Sequence, residues 1–333
     1  MRIAIVILNW NGKGLLQSYL PSVIEYSAEA KVYLADNASS DGSVEFVLEN
    51  YPDVRIIQNK ENGGYAKGYN DALKHIDADI FCLLNSDVQV TPNWLEPIKM
   101  AFSDLPNASI IQPKILDLKQ KDHFEYAGAA GGFIDQLGYP FCRGRIFQAL
   151  EKDVGQYDDI REIFWATGAC MFIKREVFND LGGFDEDYFA HQEEVDLCWR
   201  AKNNQHQVYY VGTSKVYHLG GSTLSNMNPK KTYLNFRNSL FSIVKNLPRH
   251  KALPIILLRL ILDGVAALRF IFQFKFLHCL AILRAHLSFY GQFRTMNRKR
   301  EKANFVLNYA TTKSIVWSHF VHHVNNFKVL VKD

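Results

Sequence analysis

Five short runs of apolar, strand-favouring residues punctuate the first 112 positions: IAIVIL (3–8), KVYLA (31–35), VRIIQ (54–58), IFCLL (80–84) and SIIQ (109–112). Between them the apolar positions recur with a helical period over 13–26, 42–50, 65–76 and 93–103, the last opened by Thr91 as cap and Pro92 as first residue. Strands alternating with helices predict an α/β fold with a mostly parallel central sheet flanked by helices. In such sheets ligands gather beyond the carboxyl ends of the strands. The residues found there are of one kind: Asn9, Trp10, Asn11 and Gly12 after the first run, DNASSDG (36–42) after the second, Asn59, Asn62, Gly63 and Gly64 after the third, and Asn85, Ser86 and Asp87 after the fourth. Turn formation and helix capping account for Asp41 and Gly42. Four such loops on one edge predict a polar pocket.

From about 115 to 160 the pattern weakens among glycines and aromatics, which predicts an irregular segment over the sheet. Periodicity returns in ATGACMFIKREVF (166–178), followed by an acidic cluster, a helix to about 203, a strand QVYYVG (207–212), then His218 and a Gly220, Gly221, Ser222 turn. Beyond 229 the chain turns helical and basic. The stretch 253–291 is strongly apolar, but Arg259, Asp263, Arg269, Lys275 and Arg284 interrupt it, so no segment is clean enough for a membrane-spanning helix. Two readings compete: helices lying in the interface of an anionic membrane, and an ordinary buried helical subdomain. The Leu, Ile and Phe content argues against nucleic acid as the partner of the basic tail.

Composition sharpens this picture mainly through charge. The 333 residues, 48% hydrophobic and 22% charged, are ordinary for a globular chain of one large or two smaller domains. The net charge of +4 conceals an asymmetry: 18 Lys and Arg face 3 Asp and Glu after residue 228, against 20 and 31 before it. The five widely spaced cysteines, Cys82, Cys142, Cys170, Cys198 and Cys279, include no CxxC pair and read as buried thiols of a reducing cytoplasm. The apolar run at 3–8 is too short for a secretion signal, so a cytoplasmic location is expected.

Six carboxylates fall between Asp185 and Asp196. Like charges that close raise one another's proton affinity, and a fold keeps them together where a base or a cation uses them. A solvated helix start suits Asp185, Glu186 and Asp187. Glu193, Glu194 and Asp196, running into the apolar LCWRA, are the stronger candidates for chemistry. Asn85 and Asp87, two residues apart after an apolar strand, suit a hard divalent cation such as Mg²⁺ or Mn²⁺. Asp36 suits a hydrogen bond from a base imide or ribose hydroxyl, and Trp10 offers a stacking face.

The ordered set LNWNG (8–12), DNASSDGS (36–43), NGGYAKGYN (62–70), LLNSDV (83–88), GGFDEDYFAHQEEVDLCWR (182–200) and His218 resembles the family 2 inverting glycosyltransferases of GT-A fold, and within them the bacterial rhamnosyltransferase branch. The resemblance covers residues 1 to about 240. It implies a GT-A catalytic domain over 1–228, with a nucleotide-binding half (1–115) and an acceptor and catalytic half (116–228), followed by a helical basic region over 229–333. It also implies transfer of one sugar from a nucleotide diphosphate donor to a saccharide or polyprenyl-diphosphate-linked acceptor in cell-surface polysaccharide synthesis, at the inner face of the cytoplasmic membrane. The implied donor is dTDP-rhamnose, with a UDP-sugar as the alternative. Asp36 matches the base-binding aspartate, with Asn9, Trp10, Asn11 and Asn37 lining the nucleoside pocket; Asn62, Gly64, Lys67 and Asn70 match the loop near the diphosphate. Asn85 and Asp87 match the metal motif, His218 its distant second ligand, and Glu194 the catalytic base, with Glu193 and Asp196 beside it.

Two departures leave alternatives open. Asn85 stands where many relatives have aspartate, so Asp87 and His218 carry the metal expectation. Glu194 stands where aspartate is commoner, so Glu193 stays a rival base. His218 also reads as a structural histidine, and Arg237 and Asn238 either reach the diphosphate or pack the basic tail. A helix-loop-helix calcium site fails because Ala190 stands where glycine is required, and NWNGKG is not a GxGxxG dinucleotide loop. A nucleotidyltransferase and a non-catalytic nucleotide-sugar-binding membrane protein remain as rivals.

Overall fold

The computed structural model describes residues 1–220, 228–300 and 305–331, and in it each of the five apolar runs becomes a strand of one sheet. Strands β1 (Ile3–Asn9), β2 (Lys31–Asp36), β3 (Arg55–Gln58) and β4 (Ile80–Asn85) alternate with helices α1 (Lys13–Glu25), α2 (Ser43–Asn50) and α3 (Gly64–Leu73). Strand β5 (Val88–Val90), helix α4 (Leu95–Asp104) and strand β6 (Ala108–Asp117) follow. Four short strands, β7 (Gly132–Ile134), β8 (Pro140–Cys142), β9 (Arg145–Ile146) and β10 (Ala149–Leu150), form a small second sheet. Next come β11 (Ile160–Ile163), β12 (Cys170–Lys174), α5 (Arg175–Asp180), a 3₁₀ turn (Glu186–Tyr188), α6 (Glu193–Asn203) and β13 (Gln207–His218). The chain ends in α7 (Pro229–Asn246), α8 (Arg249–Phe272), α9 (Phe276–Lys299), α10 (Ile315–Phe320) and α11 (Phe327–Val331).

Among the described residues the large sheet runs β11-β13-β6-β12-β4-β1-β2-β3, with β5 on β13. The β4-β1-β2-β3 half is parallel, and β12 is antiparallel between β4 and β6. Strands β1 and β4 are buried on both faces, which is why they read as continuous apolar runs without alternation.

Three expectations are corrected here. Helix α4 opens at Leu95, not at Thr91 and Pro92: the Thr91 hydroxyl donates to Lys215 O on β13, and Asn93 takes a left-handed φ of 59° that resets the chain before the helix. The segment 115–160 is not wholly irregular, but its strands of two or three residues are too short to display a period of two. The strand begun at Gln207 continues to His218 through a register shift between Val211 and Lys215, where Gly212 and Thr213 break the apolar pattern. Of the turn expected at Gly220, Gly221 and Ser222, the last two lie outside the described residues.

The tail from 229 onward is not a separate body. Leu240, Phe241, Ile243 and Val244 of α7, Phe289 and Met296 of α9, and Phe327 of α11 share one buried cluster with Phe133, Trp165 and Trp199. Arg259 and Asp263, which break the apolar run in the sequence, are buried: the Arg259 guanidinium lies 3.6 Å from the Tyr139 ring centre and donates to Ser239 Oγ at 2.7 Å, while Asp263 sits 3.1 Å from His286. They fasten α8 to α7, α9 and the Leu137 turn. The opposite face of the α8–α9 hairpin is exposed and apolar, up to 81% and 83% exposure at Phe272 and Phe274. Among the described residues no helix is long and apolar enough to cross a membrane.

Candidate active site

The loops at the carboxyl edge of the sheet are welded together by their own amides. Asn9 is buried and donates through Nδ2 to Asp36 Oδ1 and Ser39 Oγ, both at 3.1 Å. Asp36 also accepts from Ser39 N at 2.8 Å and Ser39 Oγ at 2.6 Å, which leaves about one acceptor site on its carboxylate. Asn11, in a left-handed turn, accepts from Ser40 N. Asn37 donates to Gly64 O and accepts from Asn59 Nδ2, while Asn62 accepts from Gly64 N. Asn70 spans from α3 to the acidic segment, exchanging hydrogen bonds with the Phe184 backbone and donating to Glu186. Lys67 pairs with Asp71 at 2.5 Å. Of these predicted contact residues, Trp10, at 50% exposure, and Asn11 are exposed, and among the described residues Asn9 Oδ1 is a buried acceptor without a partner.

Asp87 and His218, 131 residues apart, are brought together by the antiparallel pairing of β5 with β13. His218 Nε2 lies 3.1 Å from Asp87 Oδ1, and its Nδ1 is 3.3 Å from Glu125 Oε2, close enough for ion pairing but not aligned for a hydrogen bond. All three side chains are buried. Burial alone would lower the imidazole pKa, but Asp87 and Glu125 outweigh it and push it up to about 10. Glu125 escaped sequence reasoning because it sits alone in DHFEYAG, with no periodic or motif signal. Asn85 ends β4 beside this pair, its N–H donating to Ala169 O. Among the described residues no group of three or more His, Cys, Asp or Glu is disposed to hold a metal ion. Asp87, with the imidazole of His218 once it has given up its proton, fits the chemistry of a site that takes two protein ligands and completes its shell with phosphate oxygens and water.

The acidic cluster divides by partner. Asp185 caps the 3₁₀ turn and pairs with Lys245 at 2.6 Å and Lys299 at 2.5 Å. Asp196, fully buried, accepts from Lys245 at 2.8 Å, Arg200 at 2.9 Å, Asn246 at 2.9 Å and Tyr188 OH at 3.2 Å. Burial would raise its pKa, but Lys245 and then Arg200 more than reverse this and hold it well below the usual carboxylate range. Asp196 is therefore tied into a structural network, apart from the two glutamates beside it. Among the described residues Glu193 and Glu194 have no such cation, and one oxygen of each is buried without a hydrogen-bond partner. Burial, and then the charge of Glu194, pushes the Glu193 pKa well up. Burial also raises Glu194, partly offset by backbone N–H groups at the start of α6, to about 7. Glu193 is the more enclosed of the two; Glu194 is half-buried.

The loop that delivers the pair is strained and clamped. Phe189, His191 and Gln192 all take left-handed φ (63°, 68° and 72°), a cost that surrounding contacts must offset. Arg237 donates to the carbonyls of Asp187 and Tyr188, and Asn238 to those of Tyr188, Ala190 and His191, so both grip this loop. Gly64 is required on the other side: its φ is 80° and a Cβ there would sit 2.4 Å from Phe189 O, the carbonyl that accepts from Tyr65 N. The charges of Glu193 and Glu194 are felt at Tyr65, whose hydroxyl donates to Gly168 O, one residue from the Ala169 carbonyl that holds Asn85. The acid pair and the end of β4 thus border one region.

A mostly parallel sheet of this order, flanked by helices, is a GT-A arrangement, and an acid pair opens a later helix, α6, beside it. The family model described as Glycosyl transferase family 2 matches residues 4–182, more than half of the chain, and the protein belongs to that family of glycosyltransferases. Glu193, Glu194 and His218 lie beyond the matched span. The chain is 28% identical over 235 residues, 65% of its length and 75% of the relative's, to an N-acetylglucosaminyl-diphospho-decaprenol L-rhamnosyltransferase of Mycobacterium tuberculosis. It is 22% identical to the low-salt glycan biosynthesis hexosyltransferase Agl10 of Haloferax volcanii, over 82% of this chain and 86% of the relative. Its fold is similar to that of a Pyrobaculum calidifontis mannosyltransferase solved with GDP-Man and Mn²⁺, with a TM-score of 0.54 at 14% identity over 87% of both chains. It is also similar to GalNAc-T7 solved with UDP, GalNAc and Mn²⁺, with a TM-score of 0.58 at 17% identity; the match covers 75% of this chain but about half (49%) of that one.

Proposed function

We propose that the protein moves one hexosyl unit, rhamnose from dTDP-rhamnose in the first instance, onto a hydroxyl of a saccharide or polyprenyl-diphosphate-linked acceptor, with inversion, in cell-surface polysaccharide synthesis. One observation carries the reading: Asp185, Asp187 and Asp196 are paired with Lys245, Lys299 and Arg200, whereas among the described residues Glu193 and Glu194, at the start of α6, have no cation. Glu194, half-buried and with its pKa near 7, is the base. It takes the acceptor hydroxyl proton as that oxygen bonds to the anomeric carbon, while the bond from that carbon to the donor phosphate breaks and its electrons leave with the nucleoside diphosphate. Glu193 stays protonated beside it, and Arg237 and Asn238 hold the pair in place. A divalent cation, Mg²⁺ or Mn²⁺, held by Asp87 and His218 would neutralise charge on the leaving diphosphate. The remaining acceptor site of Asp36 receives a donor group of the base or ribose, and Trp10 supplies a stacking face.

The Mycobacterium tuberculosis relative, an N-acetylglucosaminyl-diphospho-decaprenol L-rhamnosyltransferase, supports a lipid-linked acceptor and a rhamnosyl donor; a UDP-sugar is the runner-up. A lipid-linked substrate requires a chain that works at a membrane surface, and the exposed apolar face of α8–α9, flanked by Arg269, Arg284, Arg294 and Arg298, is suited to rest on the anionic inner face of the cytoplasmic membrane. Thermal-shift screening of nucleotides checks the donor reading: dTDP and UDP with Mn²⁺ raise the Tm and GDP does not. Selective stabilisation by GDP would overturn it.

A further inference from the structure

Where the exposed face of α9 meets the start of α7 there is an open groove of about 530 Å³. Leu277, Leu280 and Leu287 form its apolar wall, Tyr233 its floor, and Lys230 and Arg284 stand at its rim. We propose that this groove seats the isoprenoid diphosphate of the acceptor, the chain against the leucines and the diphosphate on Lys230 and Arg284; the inference rests on the lipid-linked reading above and gives that acceptor a site.

Three features favour this occupant. The first is charge: Lys230 and Arg284 are exposed cations with no carboxylate partner among the described residues, and a guanidinium with an ammonium matches a diphosphate. The second is the apolar wall, made of leucines that a soluble chain would leave in water, whereas each buried methylene of an isoprenoid contributes roughly 0.8 kcal/mol. The third is direction. Lys230 Nζ lies 4.8 Å from the centre of the Phe189 ring, on the strained loop four and five residues ahead of Glu193 and Glu194. Tyr233, on the groove floor, is stacked by Arg237 at 5.1 Å, the residue that grips Asp187 and Tyr188. The groove therefore joins the exposed apolar hairpin at one end to the base-bearing loop at the other, and a sugar carried on the diphosphate points toward Glu194.

Farnesyl diphosphate serves as the probe, titrated calorimetrically into the detergent-solubilised full chain with the donor site filled by saturating dTDP or UDP and Mn²⁺. Binding is expected for the wild type, with inorganic diphosphate weaker by roughly tenfold or more because it lacks the apolar contact. Leu280→Asp and Arg284→Ala, both exposed positions, each lose roughly tenfold in farnesyl diphosphate affinity while their nucleotide-induced rise in Tm stays at the wild-type value. Unchanged farnesyl diphosphate affinity in both variants overturns the groove. So does inorganic diphosphate binding as tightly as farnesyl diphosphate, or a Leu280→Asp chain that only converts a dimer to a monomer in sedimentation. Equal capture by phosphatidylglycerol vesicles of wild type and both variants, with no farnesyl diphosphate bound, would mark the face as a general membrane contact and also overturn it. Loss of nucleotide stabilisation in the wild type would instead strike the transferase reading.

Discussion

Replacing Lys245 with Met tests whether the acidic cluster is divided as the contacts indicate. The Lys245 side chain is 3% exposed and bridges Asp185 at 2.6 Å and Asp196 at 2.8 Å; Met preserves its length and removes the charge. Breaking a buried pair by removing one partner costs about 3–5 kcal/mol. Asp196 keeps Arg200 at 2.9 Å and Asp185 keeps Lys299 at 2.5 Å, which puts the loss at the lower end, about 3 kcal/mol. With an unfolding entropy of about 2.1 cal/mol/K per residue over 333 residues, that is a fall in Tm of about 4 °C. The pH dependence has a definite sign. The folded pKa of Asp196 is depressed, so its contribution is fully present above the unfolded carboxylate value of about 3.9 and is lost as pH falls toward the folded value. The gap between wild type and Lys245→Met in calorimetry is therefore widest near neutrality and narrows below about pH 4. Adding Asp196→Asn to Lys245→Met costs less than the two single losses combined, because the uncompensated charge is gone. Because the same lysine anchors the segment that ends in Glu193 and Glu194, kcat falls as well. A Tm within about 1 °C of wild type at neutral pH, with additive double-mutant losses, would refute the division.

Glu194→Gln lowers kcat by about 10²–10⁴-fold, whereas Glu193→Gln keeps most of it; the reverse order would make Glu193 the base. The kcat/KM of the wild type falls as pH drops below about 7, since the base must be ionised to accept a proton, and a profile flat from pH 5.5 to 8 would contradict this. Asp87→Ala and His218→Ala each weaken Mn²⁺ activation and the stabilisation by nucleotide with Mn²⁺, read by thermal shift with and without the ion. Gly64→Ala, forced into a left-handed φ and against Phe189 O, loses about 1–3 kcal/mol of stability in urea unfolding.

The parallel half of the sheet was legible because β1 and β4 are buried on both faces and announce themselves as apolar runs. Strand β5 was not: three residues carry no periodicity, yet its ladder to β13 is what places Asp87 beside His218. Family motifs alone pointed to that pairing, and nothing in the sequence pointed to Glu125 on the far side of the imidazole. Asn37 and Asn70 read as ligand contacts because polar loop residues at a strand edge look alike in sequence; in the fold their amides serve Gly64, Asn59 and Phe184. Asp196 could not be separated from Glu193 and Glu194 by sequence, because its partners Lys245 and Asn246 arrive about fifty residues later on α7. Arg259 and Asp263 read in sequence only as breaks in an apolar stretch, because the groups that hold them, Tyr139, Leu137, Ser239 and His286, lie on other elements.

The most direct test is transfer itself. Purified full-length chain is incubated with Mn²⁺, labelled dTDP-rhamnose or UDP-sugars, and a short polyprenyl-diphosphate-linked saccharide, and the anomeric configuration of the product is read by NMR. Sugar is expected to pass from a dTDP- or UDP-linked donor with inversion, and transfer is lost in Glu194→Gln while nucleotide binding persists. Nucleotide binding without turnover from any donor, or transfer undiminished in Glu194→Gln, would contradict it.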